Sequence, residues 1–442
     1  MAGKPCRVAY RRELVDAIEA LFPPQWFSRF SSHGNTEWTP QRVFWASLVM
    51  SWQPQATLGE QLEYARDVLR EVFPRWTLGT SLAGFLAARQ RLMDEMRQPL
   101  LLWLQLLVAR YFEAWRVRGW LLFGVDGSRF EAPRTTANET GLGCAGKVST
   151  TPQVFQTTLW HVGTGLPWNF CLGPGTDSER RHLDAMRGSL PPHALLTADA
   201  GFISFDLCRW LITQGQAFVL RVGSNARLLT KLGWTVEVEG QTVYLWPQEQ
   251  RRRLPPVVLR LIVVHKDGCQ PVYLVTNILD EAVLSDTDAA EIYRLRWGLE
   301  LYSRAIKQTL GHHTLQSRTP HMALTEQTWH VFATWILQAL TARELVAAGK
   351  APASWSAAKA RDAVRKLFRR ALSGRAGSAA NSFRCSLGQA TVDTYRRAGP
   401  KQIRHWPRKK QDKPPGPPQL QPATDKQRLQ AQRLREAAPP HF

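Results

Sequence analysis

Two short apolar runs, each stopped by an aspartate, constrain this chain more than anything else in it. Residues 120–125 lead into Asp126-Gly127, and residues 194–198 lead into Asp199-Ala200-Gly201. Runs this short, without polar alternation, predict strands covered on both faces, and the turn residues after them predict where each strand ends. A helical pattern over 179–190 precedes the second run; a helix over 204–214 and a strand over 218–222 follow it. Residues 153–162 and 166–172, joined by Gly163-Thr164-Gly165, predict a β-hairpin. Strands first, then alternating helix and strand, indicate an α/β fold with a mixed sheet covered by helices.

The remainder divides around this core. Residues 1–115 show helical spacing over 43–50, 58–73, 82–96 and 100–115, with breaks at Pro23-Pro24, Pro54, Pro74 and Pro99. They read as an independent helical domain. The core is expected over 116–222 and 281–345, interrupted by an all-β insertion at 223–280. Strands are predicted there over 234–238, 242–246, 257–265 and 272–276, with Glu239-Gly240 and Lys266-Asp267-Gly268 as bends. One long helix is expected from a cap at Thr287 or Asp288 to Gly311, and a second over 324–346. Residues 346–442 form a basic region whose last forty residues, with Arg408-Lys409-Lys410 and the run from Pro414 to Pro418, read as a flexible tail.

The charge is lopsided. The chain holds 57 Lys plus Arg against 36 Asp plus Glu, a net charge of +21. Residues 351–442 hold 20 of those cations and 5 of the anions, so +15 sits there and +6 in the first 350 residues. Charge concentrated this way implies a polyanionic partner, nucleic acid ahead of acidic lipid or a merely solubilising tail. No run of eighteen apolar residues exists, and residues 1–12 lack the apolar core of a signal peptide, so a cytoplasmic protein is expected. The six cysteines form no Cys-x-x-Cys pair, which points away from zinc and from a disulfide framework.

On the helix after the insertion, Tyr293, Arg296, Glu300 and Lys307 fall within an arc of roughly 60° at about 100° per residue. Glu291 points about 180° away from Glu300. By itself this is an ordinary salt-bridged face, with Arg296 and Glu300 four apart. Asp126 and Asp199 change its meaning, because the carboxyl ends of strands in α/β sheets gather ligand-handling side chains. Asp126, Asp199 and Glu300 make an oxygen-only set suited to Mg2+ or Mn2+. Two such ions about 3.5–4 Å apart can run phosphoryl transfer.

With these residues the chain resembles the DDE transposases of bacterial insertion sequences, in the branch whose third-acid helix reads Tyr-x2-Arg-x3-Glu-x6-Lys. The motif is complete in Tyr293, Arg296, Glu300 and Lys307, a match expected by chance about 0.01 times per chain. Arg296-Trp297, Val125-Asp126-Gly127 and Ala198-Asp199-Ala200-Gly201-Phe202 resemble the branch too, although Ala200 stands where many members carry Arg. The resemblance implies a ribonuclease-H-like catalytic core, with Asp126, Asp199 and Glu300 holding two Mg2+. It also implies that Tyr293, Arg296, Lys307 and, less directly, Arg221 and Trp297 contact DNA. Cut-and-paste transposition, through terminal inverted repeats and target DNA and with a homodimer in the DNA complex, is what such a family does. A hairpin intermediate in this branch needs a base drawn from the stack, for which Trp234, Trp246 and Trp297 are candidates. The alternatives are a ribonuclease-H-like nuclease without strand transfer, and a domesticated or inactive DNA-binding protein. His312-His313 reads as structural, and Arg251-Arg252-Arg253 as either a DNA contact or a solvated turn.

Overall fold

The computed structural model describes residues 5–32, 36–145, 151–265, 268–373, 382–393 and 416–437. The predicted bend at Lys266-Asp267 and the run Arg408-Lys409-Lys410 lie outside the described residues. The chain forms two compact units. One contains Met1–Trp115, Gly127–Ser178 and Gly298–Asp393; the other contains Arg116–Asp126, Glu179–Trp297 and Thr394–Phe442. The strands, in chain order, are β1 Leu121–Glu131, β2 Gln153–His161, β3 Leu166–Pro174, β4 Ala194–Ala198, β5 Ala217–Val222, β6 Arg227–Thr230, β7 Thr242–Leu245, β8 Val257–Val264, β9 Val272–Thr276 and β10 Gln419–Pro422.

The first unit is built on helix Pro320–Ala347, which is buried along nearly its whole length. Residues 1–115 are not packed by themselves. Helices Pro40–Trp52 and Leu82–Ala109 lie against Pro320–Ala347, and the Trp52 indole donates to the Ala333 carbonyl at 2.9 Å. The antiparallel hairpin of β2 and β3 packs on the same helix, where Phe170 meets Phe332 edge-on at 5.2 Å. Helix Leu82–Ala109 runs through Pro99, which was expected to break it. A proline inside a helix costs about 3 kcal/mol. Burial of Leu92, Met93, Met96, Leu100, Leu104 and Val108 along the helix outweighs that cost.

His312 also belongs to this core. It is buried, stacked on His330 with ring centroids 3.6 Å apart, and donates through Nε2 to the Ser51 carbonyl at 2.7 Å. Burial lowers its pKa to about 4 from 6.5, with Arg365 and Arg89 pushing the same way and the Ser51 bond opposing. Because the folded-state pKa lies below the unfolded one, His312 stabilises the fold above about pH 6.5, and this is lost as the pH falls toward 4. From this residue the expected loss between pH 7.5 and pH 5 is about 2 kcal/mol. Urea unfolding at the two pH values checks it, and a His312→Asn variant should show a clearly smaller difference.

In the second unit the strand order is β10-β6-β7-β8-β9-β5-β4-β1. Strands β1, β4 and β5 are parallel, and their fully buried runs match cover on both faces. The strand-rich insertion continues this sheet, since β9 pairs antiparallel with β5 from Val219↔Thr276 to Val222↔Tyr273. The strand expected over 234–238 is absent, and Arg227–Thr230 takes its place. Side chains occupy the backbone donors around that segment. The Glu237 carboxylate accepts from the Gly233 N–H at 2.7 Å, and Thr242 Oγ1 accepts from the Val238 N–H at 2.8 Å. Part of the expected tail is ordered as well. β10 pairs in parallel with β6, helix Asp425–Ala437 follows it, and Arg428 donates to the Lys231 carbonyl at 2.9 Å.

The single helix expected up to Gly311 is three segments: Asp286–Leu295, Trp297–Arg304 and a π-helical turn Ala305–Thr309. Its first cap is Ser285, whose hydroxyl accepts from the Asp288 N–H at 3.0 Å, rather than Thr287 or Asp288. Gly298 stands just past the break, and a Cβ there would meet the Trp160 ring at 2.1 Å. Glycine is thus required for packing where it is poorest for helix continuity.

Candidate active site

The register of the parallel strands builds the site. Val125 pairs with Ala198, and Ala198 with Leu220. Asp126, Asp199 and Arg221 follow these residues directly, so they stand at one level on adjacent strands. Asp126 is not the terminal residue predicted for it: β1 runs on to Glu131, and only the pairing with β4 stops at Val125.

Helix Asp286–Leu295 brings the remaining groups. Arg260 on β8, 3% exposed, donates to the Leu284 carbonyl and pairs with Asp286 at 3.6 Å. Glu291 pairs with Arg118, with Asp288 also 3.4 Å from that guanidinium, so Glu291 is committed away from the carboxylates. Anchored on both sides, the helix sets the Tyr293 hydroxyl to donate to Asp199 Oδ1 at 3.3 Å. Just past the helix end, Arg296 reaches Asp126 Oδ2 at 3.6 Å and Asp199 Oδ2 at 3.8 Å. Arg221 reaches the other oxygen of Asp199 at 3.5 Å. The contacts of Arg296 with the two aspartates join residues far apart in the chain, a partnership with no local signal.

The electrostatics follow from burial. The Arg296 side chain is only 6% exposed, against 24% for Asp126 and 38% for Asp199. Burial works against its charge, yet Tyr293, Asp126 and Asp199 outweigh it and raise its pKa. Tyr293 is raised by burial first and by Asp199 second, with Arg296 and Arg221 opposing. It therefore remains a neutral O–H donor at physiological pH. Two carboxylates, two guanidiniums and one phenol make a compact cluster with balanced charge.

Glu300 and Lys307 belong to the first unit. Glu300 is half-buried in the first turn of Trp297–Arg304, and Lys307 sits in the π-helical turn with its ammonium 4.9 Å from the Phe130 ring centroid. Trp297 ends the second unit beside Arg296 and is 57% exposed. Trp246 cannot offer a face to a base: it is 1% exposed and its indole donates to the Leu254 carbonyl at 2.9 Å. Trp234 is half-buried. Arg251 donates to the Trp246 carbonyl at 3.1 Å. Among the described residues, no three His, Cys, Asp or Glu side chains are grouped to hold a metal ion. Asp126 and Asp199 supply two hard oxygen donors at one level, the donor chemistry that suits Mg2+ or Mn2+. None of the cysteines described (Cys144, Cys171, Cys208, Cys269, Cys385) is in a disulfide. No helix among the described residues is long and apolar enough to cross a membrane.

Part of the chain that carries this cluster is similar to known proteins. Residues 122–336 match the family model described as "Transposase DDE domain". The curated "Transposase InsG for insertion sequence element IS4" of Escherichia coli (strain K12) is 25% identical over 221 residues, 47% of this chain and 49% of that protein. The chain thus spans about half the length of this relative. Among solved structures, the piggyBac transposase synaptic complex with hairpin DNA aligns over 90% of this chain and 88% of that one, at 11% identity and a TM-score of 0.47. The span similar to that family model takes in both aspartates, Arg221 and the whole Tyr293-to-Lys307 segment.

Proposed function

We propose that the chain is a DNA transposase that moves an insertion sequence by cut and paste, in the branch carrying Tyr293, Arg296, Glu300 and Lys307. The observation that carries this is the in-register pair Asp126 and Asp199 clamped by Arg296 within the span similar to the DDE-transposase family model. Residues 116–222 and 281–345 serve as the ribonuclease-H-like catalytic core, 223–280 as its insertion, and 1–115 in binding the element's ends. The substrate is duplex DNA, first the terminal inverted repeats and then the target, and the active complex is a homodimer.

Asp126 and Asp199, with Glu300 as third ligand, would hold the metal. Two Mg2+ ions, or Mn2+ in their place, supply an activated nucleophile and stabilise the leaving oxygen when bound there. In the first step water adds to phosphorus and the 3′-oxygen of the element's end leaves. In the second that 3′-hydroxyl adds to a target phosphodiester and a target 3′-oxygen leaves. Arg296 and Arg221 present positive charge to the phosphate, and the neutral Tyr293 hydroxyl offers a donor. Lys307, on the same motif, is assigned to the DNA backbone, and exposed Trp297 to an unstacked base.

The test is Mg2+-dependent cleavage and joining on a duplex carrying the DNA that flanks the gene, with Glu300→Gln alongside. Wild type should cut and join, while the variant binds the duplex and does neither. Cleavage without joining would reduce the reading to a nuclease, and binding without either step would leave only a DNA-binding protein.

A further inference from the structure

Helix Ala357–Ser373 lies beyond the residues of the matched family domain and takes no part in the carboxylate cluster. Its sequence carries six cations, Lys359, Arg361, Arg365, Lys366, Arg369 and Arg370, against one acid, Asp362. Ala360, Ala363, Val364, Leu367 and Phe368 are buried against the first unit, with Phe368 beside Trp52 and Tyr64 at ring-centroid distances of 6.5 and 6.4 Å. Opposite that face, Arg365, Lys366 and Arg369 share an arc of about 100°. The flanking cations are occupied. Lys359 pairs with Asp393 at 2.6 Å, and Arg361 with Asp362 at 2.8 Å and the Thr309 carbonyl at 2.7 Å. Asp362, the one acid of this helix, is thus held by Arg361. Among the described residues none of Arg365, Lys366 and Arg369 forms an ion pair. Arg365 donates to the Trp52 carbonyl at 3.2 Å and Arg369 to the Arg365 carbonyl at 3.4 Å, neutral acceptors that leave both charges in place.

We propose that Arg365, Lys366 and Arg369 form a contact surface for the phosphate backbone of duplex DNA, a proposal that rests on the DNA-transposase reading above. Three cations on one rigid helix face, none in an ion pair among the described residues, match a polyanion, and backbone contacts of this kind bind without regard to sequence. The buried apolar face argues against a helix inserted in a membrane. An amphipathic helix that lies on a membrane must insert its apolar residues among the lipids. Here those residues are already packed against the protein.

The experiment measures affinity for a duplex of arbitrary sequence against KCl concentration. Three proteins are compared: wild type, Arg365→Gln/Lys366→Gln/Arg369→Gln, and a charge-matched control, Lys426→Gln/Arg433→Gln/Arg435→Gln, at exposed positions of helix Asp425–Ala437. The helix variant should bind at least about tenfold more weakly at 0.1 M salt, with a log–log salt slope shallower by about 2 to 3. The control should keep its slope within about 1 of wild type. Restoring charge with Arg365→Lys/Arg369→Lys should restore the slope, which separates lost contact from misfolding. Equal losses in the helix variant and the control, or an unchanged slope in both, would overturn the proposal. So would weakened binding to phosphatidylserine vesicles with DNA binding intact. Wild type that binds no duplex at all would overturn the transposase reading itself, a failure seen before any variant is compared.

Discussion

Asp199→Asn should lower Mg2+-dependent strand cleavage by about 10^3-fold or more while leaving DNA affinity equal to or tighter than wild type. Both halves follow from its neighbours. Asp199 is one of the two in-register carboxylates, so its loss removes half of the donor pair. It is also the anion facing Arg221 at 3.5 Å and Arg296 at 3.8 Å. Neutralising it frees positive charge for a phosphate. Single-turnover cleavage and a gel-shift titration of the same preparation measure the two effects. Cleavage above about a tenth of wild type would remove Asp199 from the catalytic set, and a large fall in affinity would show that its partners do not face the DNA.

Arg296→Gln should give the second largest effect, this time on the fold. Breaking a buried ion pair by deleting one partner costs about 3–5 kcal/mol, because a charge is left without its counterion. Asp126 and Asp199 are 24% and 38% exposed, so water recovers part of that, and a loss of about 2 kcal/mol is expected. The cause is carboxylate repulsion once the guanidinium is gone. Arg296→Gln combined with Asp126→Asn should therefore regain at least half of the loss in urea unfolding. If the double variant is as unstable as Arg296→Gln alone, packing of the Arg296 stem is responsible instead.

Much of the site could be seen in the chain without its fold, for a definite reason. Apolar runs stopped by Asp126 and Asp199 declare buried strands and their polar neighbours, because periodicity is local. The spacing of Tyr293, Arg296, Glu300 and Lys307 is likewise a property of consecutive residues. Local signals failed where distant packing overrode them. Pro99 sits inside a continuous helix because a buried face passes through it, and the helix carrying the motif breaks at Arg296, whose charge is held by two strands, just before Gly298 against Trp160. Residues 234–238 have strand-like composition, yet Glu237 and Thr242 take up the donors around them.

What the sequence by itself determined is which residues are chemically equipped: two strand-bound aspartates, one motif helix and an excess of cations toward the C-terminus. Those follow from side-chain chemistry and short-range spacing, which need no partner. Only the tertiary structure decided who faces whom. It set Asp126 level with Asp199, gave Arg296 to both, committed Glu291 to Arg118 and buried Trp246. It also buried the apolar face of the helix that carries Arg365, Lys366 and Arg369. Strand register and burial depend on residues far apart in the chain, and no local window contains them.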